Sequence, residues 1–566
     1  MKSAGSYKVN IRTVIRTAGF LLPVLLFFFI PVAGRAHSLL IDSTVRMVDG
    51  MLSPYNQLQP GDTVFLAAGE RNKLLIRNIQ GAPGQPVVFM NKGGVVLIST
   101  NDYYGISVVH SGYFRISGQG ESGVQYGIQI RRVQNGAGIG IGDMSTDFEL
   151  DHLSIENCLT SGIFAKTEPD CVHPVSRENF TQYNTLIHDN YISATGNEGM
   201  YIGSSGYAGR VVNCNGKDSL MMPPVLEGVQ VYNNVISHTG WDGIQVSSAI
   251  SRCAVYGNII SHDSDAEINN QMSGILLGGG SSCDCYNNRI TDGKGDGVED
   301  HGIGGNRIFN NIIINAGLTY KPADPAAMKH GLFISDVSAL PDSSVAVLFN
   351  TIVNSKSDGI RYQRVKGKQN LIVSNLIVNP GNYVYYRYAG TAARPEDAYV
   401  MINVKGIDLT VTNNFFSTNL ASAVVDGISY TPLAGSPLIN TAFPDYGDIG
   451  FDFLQRRRPV GQWPDIGAIE YDGGSDTMRQ RFSTTIYAFP NPVQSGISIR
   501  YAGVAGSPHQ FRVYSVNGQS IFQLLNLPAA DGLQQIQFNT NFLAKGIYFY
   551  TVYNGAEWLR GKFVRR

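Results

Sequence analysis

Between residues 188 and 417 the chain alternates short apolar runs with recurring asparagines. The strings HDNYIS, YNNVIS, YGNIIS, YNNRIT, FNNIII, LFNTIV, VSNLIV and TNNFFS each set an asparagine near two mostly apolar residues: Asn190, Asn234, Asn258, Asn288, Asn311, Asn350, Asn375 and Asn414. The separation is 24 residues from Asn234 to Asn258, 23 from Asn288 to Asn311 and 25 from Asn350 to Asn375. The longer step of 39 from Asn311 to Asn350 reads as a coil with a loop insertion. A second short run opening with glycine follows many of them: GMYI at 199, GIQV at 243, GILL at 274, GVED at 297, GLFI at 331 and GIRY at 359. Two or three short strands per period predict a solenoid, in which each coil buries apolar side chains against its neighbours. Asparagines at equivalent turns would stack roughly 4.8 Å apart, close enough for their amides to hydrogen-bond up the column.

With the opening stretches LQPGDTVFLAAGE (58–70) and NIQGAPGQPVVFMNKGG (78–94) and the ending GSPLIN…DIGFDFLQRRRPVGQWPDIGAIEY (435–471), this repeat resembles right-handed parallel β-helix proteins of the pectate-lyase-like superfamily. The resemblance spans 37–472. A polar linker follows at 473–482. Over 483–566, AFPNPVQSGISIRY, FRVYSVNGQSIFQ and LAKGIYFYTVYNGAEWLRGKFVRR alternate apolar and polar residues between Asn-Gly and Lys-Gly turns, which predicts a small β-sandwich. Its Pro-Asn-Pro, Asn517-Gly518, Gly546-Ile547-Tyr548 and basic end resemble the C-terminal sorting domain of type IX secretion cargo. That resemblance implies export across an outer membrane, with the type IX machinery as partner. The expected fold is all-β: a right-handed parallel β-helix and a C-terminal sandwich.

Composition agrees with an exported protein. The net charge of the 566 residues is -1 and only 15% are charged, so no basic surplus points to nucleic acid, and a monomer is expected. Lys2, Lys8, Arg12 and Arg16 precede the apolar run AGFLLPVLLFFFIPVAG, and Gly34 and Ala36 supply small residues for cleavage. Residues 1–36 therefore read as a secretory signal peptide, placing the mature chain outside the cytoplasm, secreted or on the outer-membrane surface. All six cysteines lie between Cys158 and Cys285. Export permits disulfides; Cys171 and Cys214 bracket a loop-like segment and either pair or remain buried thiols.

Chemistry is sought on the outward face of the glycine-led strands. Alternation in GIQV turns Ile and Val inward and Gln outward. The outward column is then Tyr201, Gln245, Leu276, Glu299, Phe333 and Arg361, and the residues before each glycine form a second: Glu198, Asp242, Ser273, Asp296, His330 and Asp358. The stretch GDGVEDHG (295–302) breaks the pattern, because Asp300 takes the inward place of Val246, Leu277 and Ile334. A buried carboxylate needs a partner, for which His301, Arg307 or a cation are the candidates. One coil beyond Glu299 come Lys329 and His330.

A groove of this kind suits a polysaccharide. A uronate lyase needs a base to take the proton beside the substrate carboxylate, and a cation to neutralise that carboxylate. Lys329, His330 or His301 fit the first role, and Arg361 or Ca²⁺ the second; Asp263, Asp265 and Glu267 offer oxygen ligands for Ca²⁺. The candidate catalytic set is Glu299, Asp300, His301, Lys329, His330 and Arg361, with Tyr201, Trp241, Asp242, Gln245, Asp296 and Phe333 contacting the glycan. Asp242 and Asp296, two coils apart, keep a two-carboxylate glycoside hydrolase in view. The expected activity is a lyase acting on acidic polysaccharide. A hydrolase or epimerase is one alternative, and a non-catalytic glycan-binding adhesin or surface scaffold is another. His152, in FELDHLSI, falls in the asparagine-ladder position and reads as structural.

Overall fold

The computed structural model describes residues 37–171, 175–322, 327–443, 449–473, 486–489, 493, 496–503, 508–515, 520–527, 532–555 and 558–565. The signal peptide, the linker core and Asn517-Gly518 lie outside them. From Ser38 to Ser417 the chain winds into coils of short parallel strands that form a 24-stranded and a 12-stranded sheet. The shorter sheet stacks the glycine-led strands in register: Tyr201 pairs with Gln245, Gln245 with Leu276, Leu276 with Glu299, Glu299 with Phe333 and Phe333 with Arg361.

Both sheets fill the interior. One column on the shorter sheet runs Ile139, Ile163, Met200, Ile244, Ile275, Val298, Leu332 and Ile360, all fully buried. Each strand also needs its leading glycine. A Cβ on Gly297 would lie 2.5 Å from the Gly331 carbonyl oxygen and 2.4 Å from Ile313 Cγ2 of the next coil, and Gly243, Gly331 and Gly359 meet the same obstruction. The glycines therefore record a close approach of stacked coils.

The asparagines form an unbroken ladder. Each Nδ2 donates to the next Oδ1 at 2.9–3.0 Å, from Asn190 through Asn234, Asn258, Asn288, Asn311, Asn350 and Asn375 to Asn414. Each also donates to a backbone carbonyl, as Asn288 does to Val255. The residue before the asparagine is left-handed, with φ of 54–55° at Asp189, Asn233, Asn287 and Asn310. His152, with φ of 55°, occupies this preceding position, and Leu153 fills the ladder place, where its N–H donates to Asn190 Oδ1. The ladder thus begins one coil later than the sequence suggested, and His152 bonds Asp151 and Gln119 instead.

The segment after 420 packs on the outside of the coils, with Leu438, Ala468 and Ile469 against Ile312, Val353 and Leu376. Strands such as Ile312–Ile314 and Leu376–Val378 are accordingly apolar on both faces. Two disulfides are present, Cys171–Cys214 and Cys253–Cys283, while Cys158 and Cys285 are free and buried. The C-terminal strands make antiparallel sheets of three and four strands around Ile499, Phe511, Val513 and Phe563. No helix among the described residues is long and apolar enough to cross a membrane.

Candidate functional site

The strand Asp296–Asp300 and the turn that follows it concentrate the polar chemistry of the shorter sheet. Glu299 points outward, and its Oε2 lies 3.1 Å from His301 Nε2. The other ring nitrogen of His301 meets Ser335 Oγ at 2.7 Å. From the next coil, Lys329 Nζ reaches Asp296 Oδ2 at 2.8 Å and Glu299 Oε1 at 3.7 Å. Phe333 fills the gap between His301 and His330, its ring centre 5.9 Å from each. One coil further on, Asp358 Oδ2 holds Arg361 at 3.0 Å, while its Oδ1 accepts from Asn382 at 2.7 Å and Tyr386 at 2.9 Å.

Burial and charge sort these groups by protonation. Burial drives Glu299 above the usual carboxylate range; contact with His301 opposes this and the charge on Asp296 adds to it. Burial acts the same way on Asp296, but the Lys329 ammonium, which also donates to it, outweighs burial and keeps Asp296 low. Burial disfavours the Lys329 ammonium, yet Asp296 and Glu299 more than compensate and hold the amine protonated. Burial likewise works against the His301 cation, but the Glu299 contact prevails and raises it. His330 goes the other way: burial lowers it, so its ring is neutral, and its Nδ1 accepts the Asp358 N–H at 3.2 Å.

The second column is a wall of buried polar residues. Ser161 Oγ donates to Glu198 at 2.8 Å and Ser273 Oγ to Asp242 at 2.7 Å. Burial raises both Glu198 and Asp242, the latter well above its ordinary value. Gln245 is also buried and donates to Ser247 Oγ at 3.3 Å. Asp242 and Gln245, expected to contact a glycan, are therefore enclosed within the sheet wall. Tyr201 is half-buried, bonded to Ser205 at 2.8 Å and capped by Lys166 at 3.8 Å from the ring centre; Trp241 is half-buried in the turn before Asp242.

Three expectations change. Asp300 is fully buried on the inner side of its strand, where Gly302 N–H and Asn306 Nδ2 donate to its Oδ1. Alternation sends it away from Glu299, so it is removed from the candidate catalytic set; Gly302 and Asn306, rather than His301 or Arg307, hold its Oδ1, while its buried Oδ2 has no hydrogen-bond partner. Arg307 pairs with Asp284 at 2.8 Å. Asp263, Asp265 and Glu267 do not converge. Asp263 turns under the next coil to Ser264 and Gly295, Asp265 pairs with His238 at 3.1 Å, and Glu267 pairs with Lys294 at 2.7 Å. Among the described residues the one cluster with metal-ligand spacing is Glu149, Asp151 and His188, on the other sheet; Arg115 lies 2.7 Å from Asp151 and 3.2 Å from Glu149 and supplies its positive charge. Ser335, Asn382 and Tyr386 were not anticipated. The latter two sit on a short helix inside an insertion, Asn382–Tyr388, where no repeat marks them.

Comparison with known proteins supports the two parts of the chain separately. Residues 226–416 match the family model of the right-handed beta helix region, and residues 487–566 match the secretion system C-terminal sorting domain. No curated protein matches. Among solved structures, a pectate lyase is 11% identical, covering 77% of this chain and 96% of its own at a TM-score of 0.36. A PL6 family polysaccharide lyase from Pseudopedobacter saltans is 14% identical (66% and 92% covered, TM-score 0.30). The A-module of an Azotobacter vinelandii mannuronan C-5 epimerase is 14% identical (63% and 87% covered, TM-score 0.26). The sorting domain marks the chain for type IX secretion to the cell surface or beyond. The chain is a right-handed parallel β-helix that carries a type IX secretion sorting domain at its C-terminal end.

Proposed function

We propose that the protein is a polysaccharide lyase acting on an acidic, uronate-containing glycan by β-elimination. The observation that carries this reading is the Glu299–His301 pair on the outer face, with Lys329 beside it and Arg361 two coils along the same column. The pair is the acid/base couple. A carboxylate with a raised pKa is a better base near neutrality than an ordinary one, and His301 shuttles the proton through its Ser335 contact. Lys329 and Arg361 supply the fixed positive charge that stabilises the developing enolate of the substrate carboxylate. Asp358 positions Arg361, and Asp296 positions Lys329.

The opposite titration of Asp296 and Glu299 favours a second reading, a hydrolase with one protonated and one ionised carboxyl group. Ultraviolet absorbance with a panel of acidic polysaccharides, with and without calcium and a chelator, separates the readings. Unsaturated product establishes the lyase, and reducing ends without absorbance establish the hydrolase. Binding without either product leaves a glycan-binding adhesin or scaffold.

A further inference from the structure

The outward column does not begin at Tyr201. Ser107 pairs with Gly140, Gly140 with Phe164 and Phe164 with Tyr201, so the same line of side chains runs from Ser107 to Arg361. At its early end lies a depression of about 680 Å³, within the usual range for small-molecule sites. Gly140 forms its floor, and a Cβ built there would meet nothing within 4 Å. The absent side chain leaves the Phe164 ring without a neighbour from that coil, while its other side meets Tyr201 edge-on at 5.5 Å.

The far wall is the strand Arg210–Cys214 of a two-stranded antiparallel hairpin. The Cys171–Cys214 disulfide ties it to the segment that carries Glu168. Glu168 in turn binds Lys166 at 2.6 Å and Arg210 at 3.0 Å, which fixes the rim. Asp143, Lys166, Glu168 and Arg210 line the space with charged groups. An aromatic ring beside an open floor, rimmed by charged and polar groups, is the chemistry that holds a pyranose unit.

We infer that this pocket is a distal subsite that holds one sugar unit of a glycan chain, stacked against Phe164 and hydrogen-bonded through its hydroxyls, four to five coils from Glu299. Four to five strand spacings are roughly 19–24 Å, so only a chain of several units reaches from one to the other. The inference rests on the polysaccharide reading of the groove and adds a length requirement to it.

Calorimetric titration of the full chain with uronate dimers and octamers prepared from polygalacturonate, alginate, hyaluronan and chondroitin tests it. Octamers of the recognised polymer should bind at least about tenfold tighter than dimers, and Phe164→Ala and Gly140→Trp should each weaken octamer binding by at least about fivefold while leaving dimer binding unchanged. Gly140→Trp projects into open space and, checked by its thermal midpoint, reports the subsite even if Phe164→Ala perturbs the fold. Octamer binding unaltered by both substitutions overturns the subsite and leaves the polysaccharide reading standing. No binding of any oligomer overturns both.

Discussion

Glu299 and His301 meet at 3.1 Å on the outer face of one strand, although Asp300 between them is turned completely into the core. Asp300 thus does work unrelated to that of its two neighbours, because an extended chain sends alternate side chains to opposite faces.

Glu299→Gln keeps the shape of the pair and removes its proton-accepting charge. Turnover on the recognised polysaccharide should fall by about 10²–10⁴-fold, the usual contribution of a positioned acid/base, with substrate affinity little changed. In the wild type the rate should climb as pH rises through the elevated Glu299 pKa, since the base must be ionised. Initial rates across pH, for both proteins, check both statements.

Asp242 should make the fold more stable in acid than in base. Its folded pKa lies above the unfolded value, so its contribution is complete below about pH 4 and is lost as pH rises through the folded pKa. Asp242→Asn removes that loss. Its melting temperature should match the wild type at low pH and exceed it above neutrality; a scan of melting temperature against pH decides.

Asn288→Ala cuts the ladder in its middle. The Val255 carbonyl and the Asn258 amide lose their side-chain partners inside the core. Leaving such groups unsatisfied costs about 3 kcal/mol in total, to be read from equilibrium urea unfolding.

Two glycines of the same sheet should respond oppositely. Gly297→Ala forces a Cβ against the Gly331 carbonyl and Ile313 and should cost about 3 kcal/mol or abolish soluble expression. Gly140→Ala enters open space and should change stability by less than about 0.5 kcal/mol. Paired unfolding curves make the comparison.

The solenoid was legible because its rules recur. Eight asparagines and six leading glycines announced the ladder and the close approach, and period-two alternation placed Glu299, Phe333 and Arg361 in one column. The site was less so. Asp300 looked functional because its partner, Asn306, sits beyond a turn whose geometry no repeat specifies. Asp263, Asp265 and Glu267 looked like a cation site because closeness in sequence was taken for closeness in space, whereas a left-handed Ser264 and Glu267 send their neighbours in different directions. Asn382 and Tyr386, which grip Asp358, lie in an insertion and had no periodic signal at all.

The amide contact between successive ladder asparagines is 3.0 Å whether 23 residues separate them, as for Asn288 and Asn311, or 39, as for Asn311 and Asn350. The column therefore works as a ruler that is blind to loop length. Turns can lengthen, acquire a hairpin or a helix, and change what they grasp, while the pitch at which Glu299, Phe333 and Arg361 are presented stays constant. In such a scaffold, reach and specificity can diversify at the loops without recalibrating the spacing of the groove.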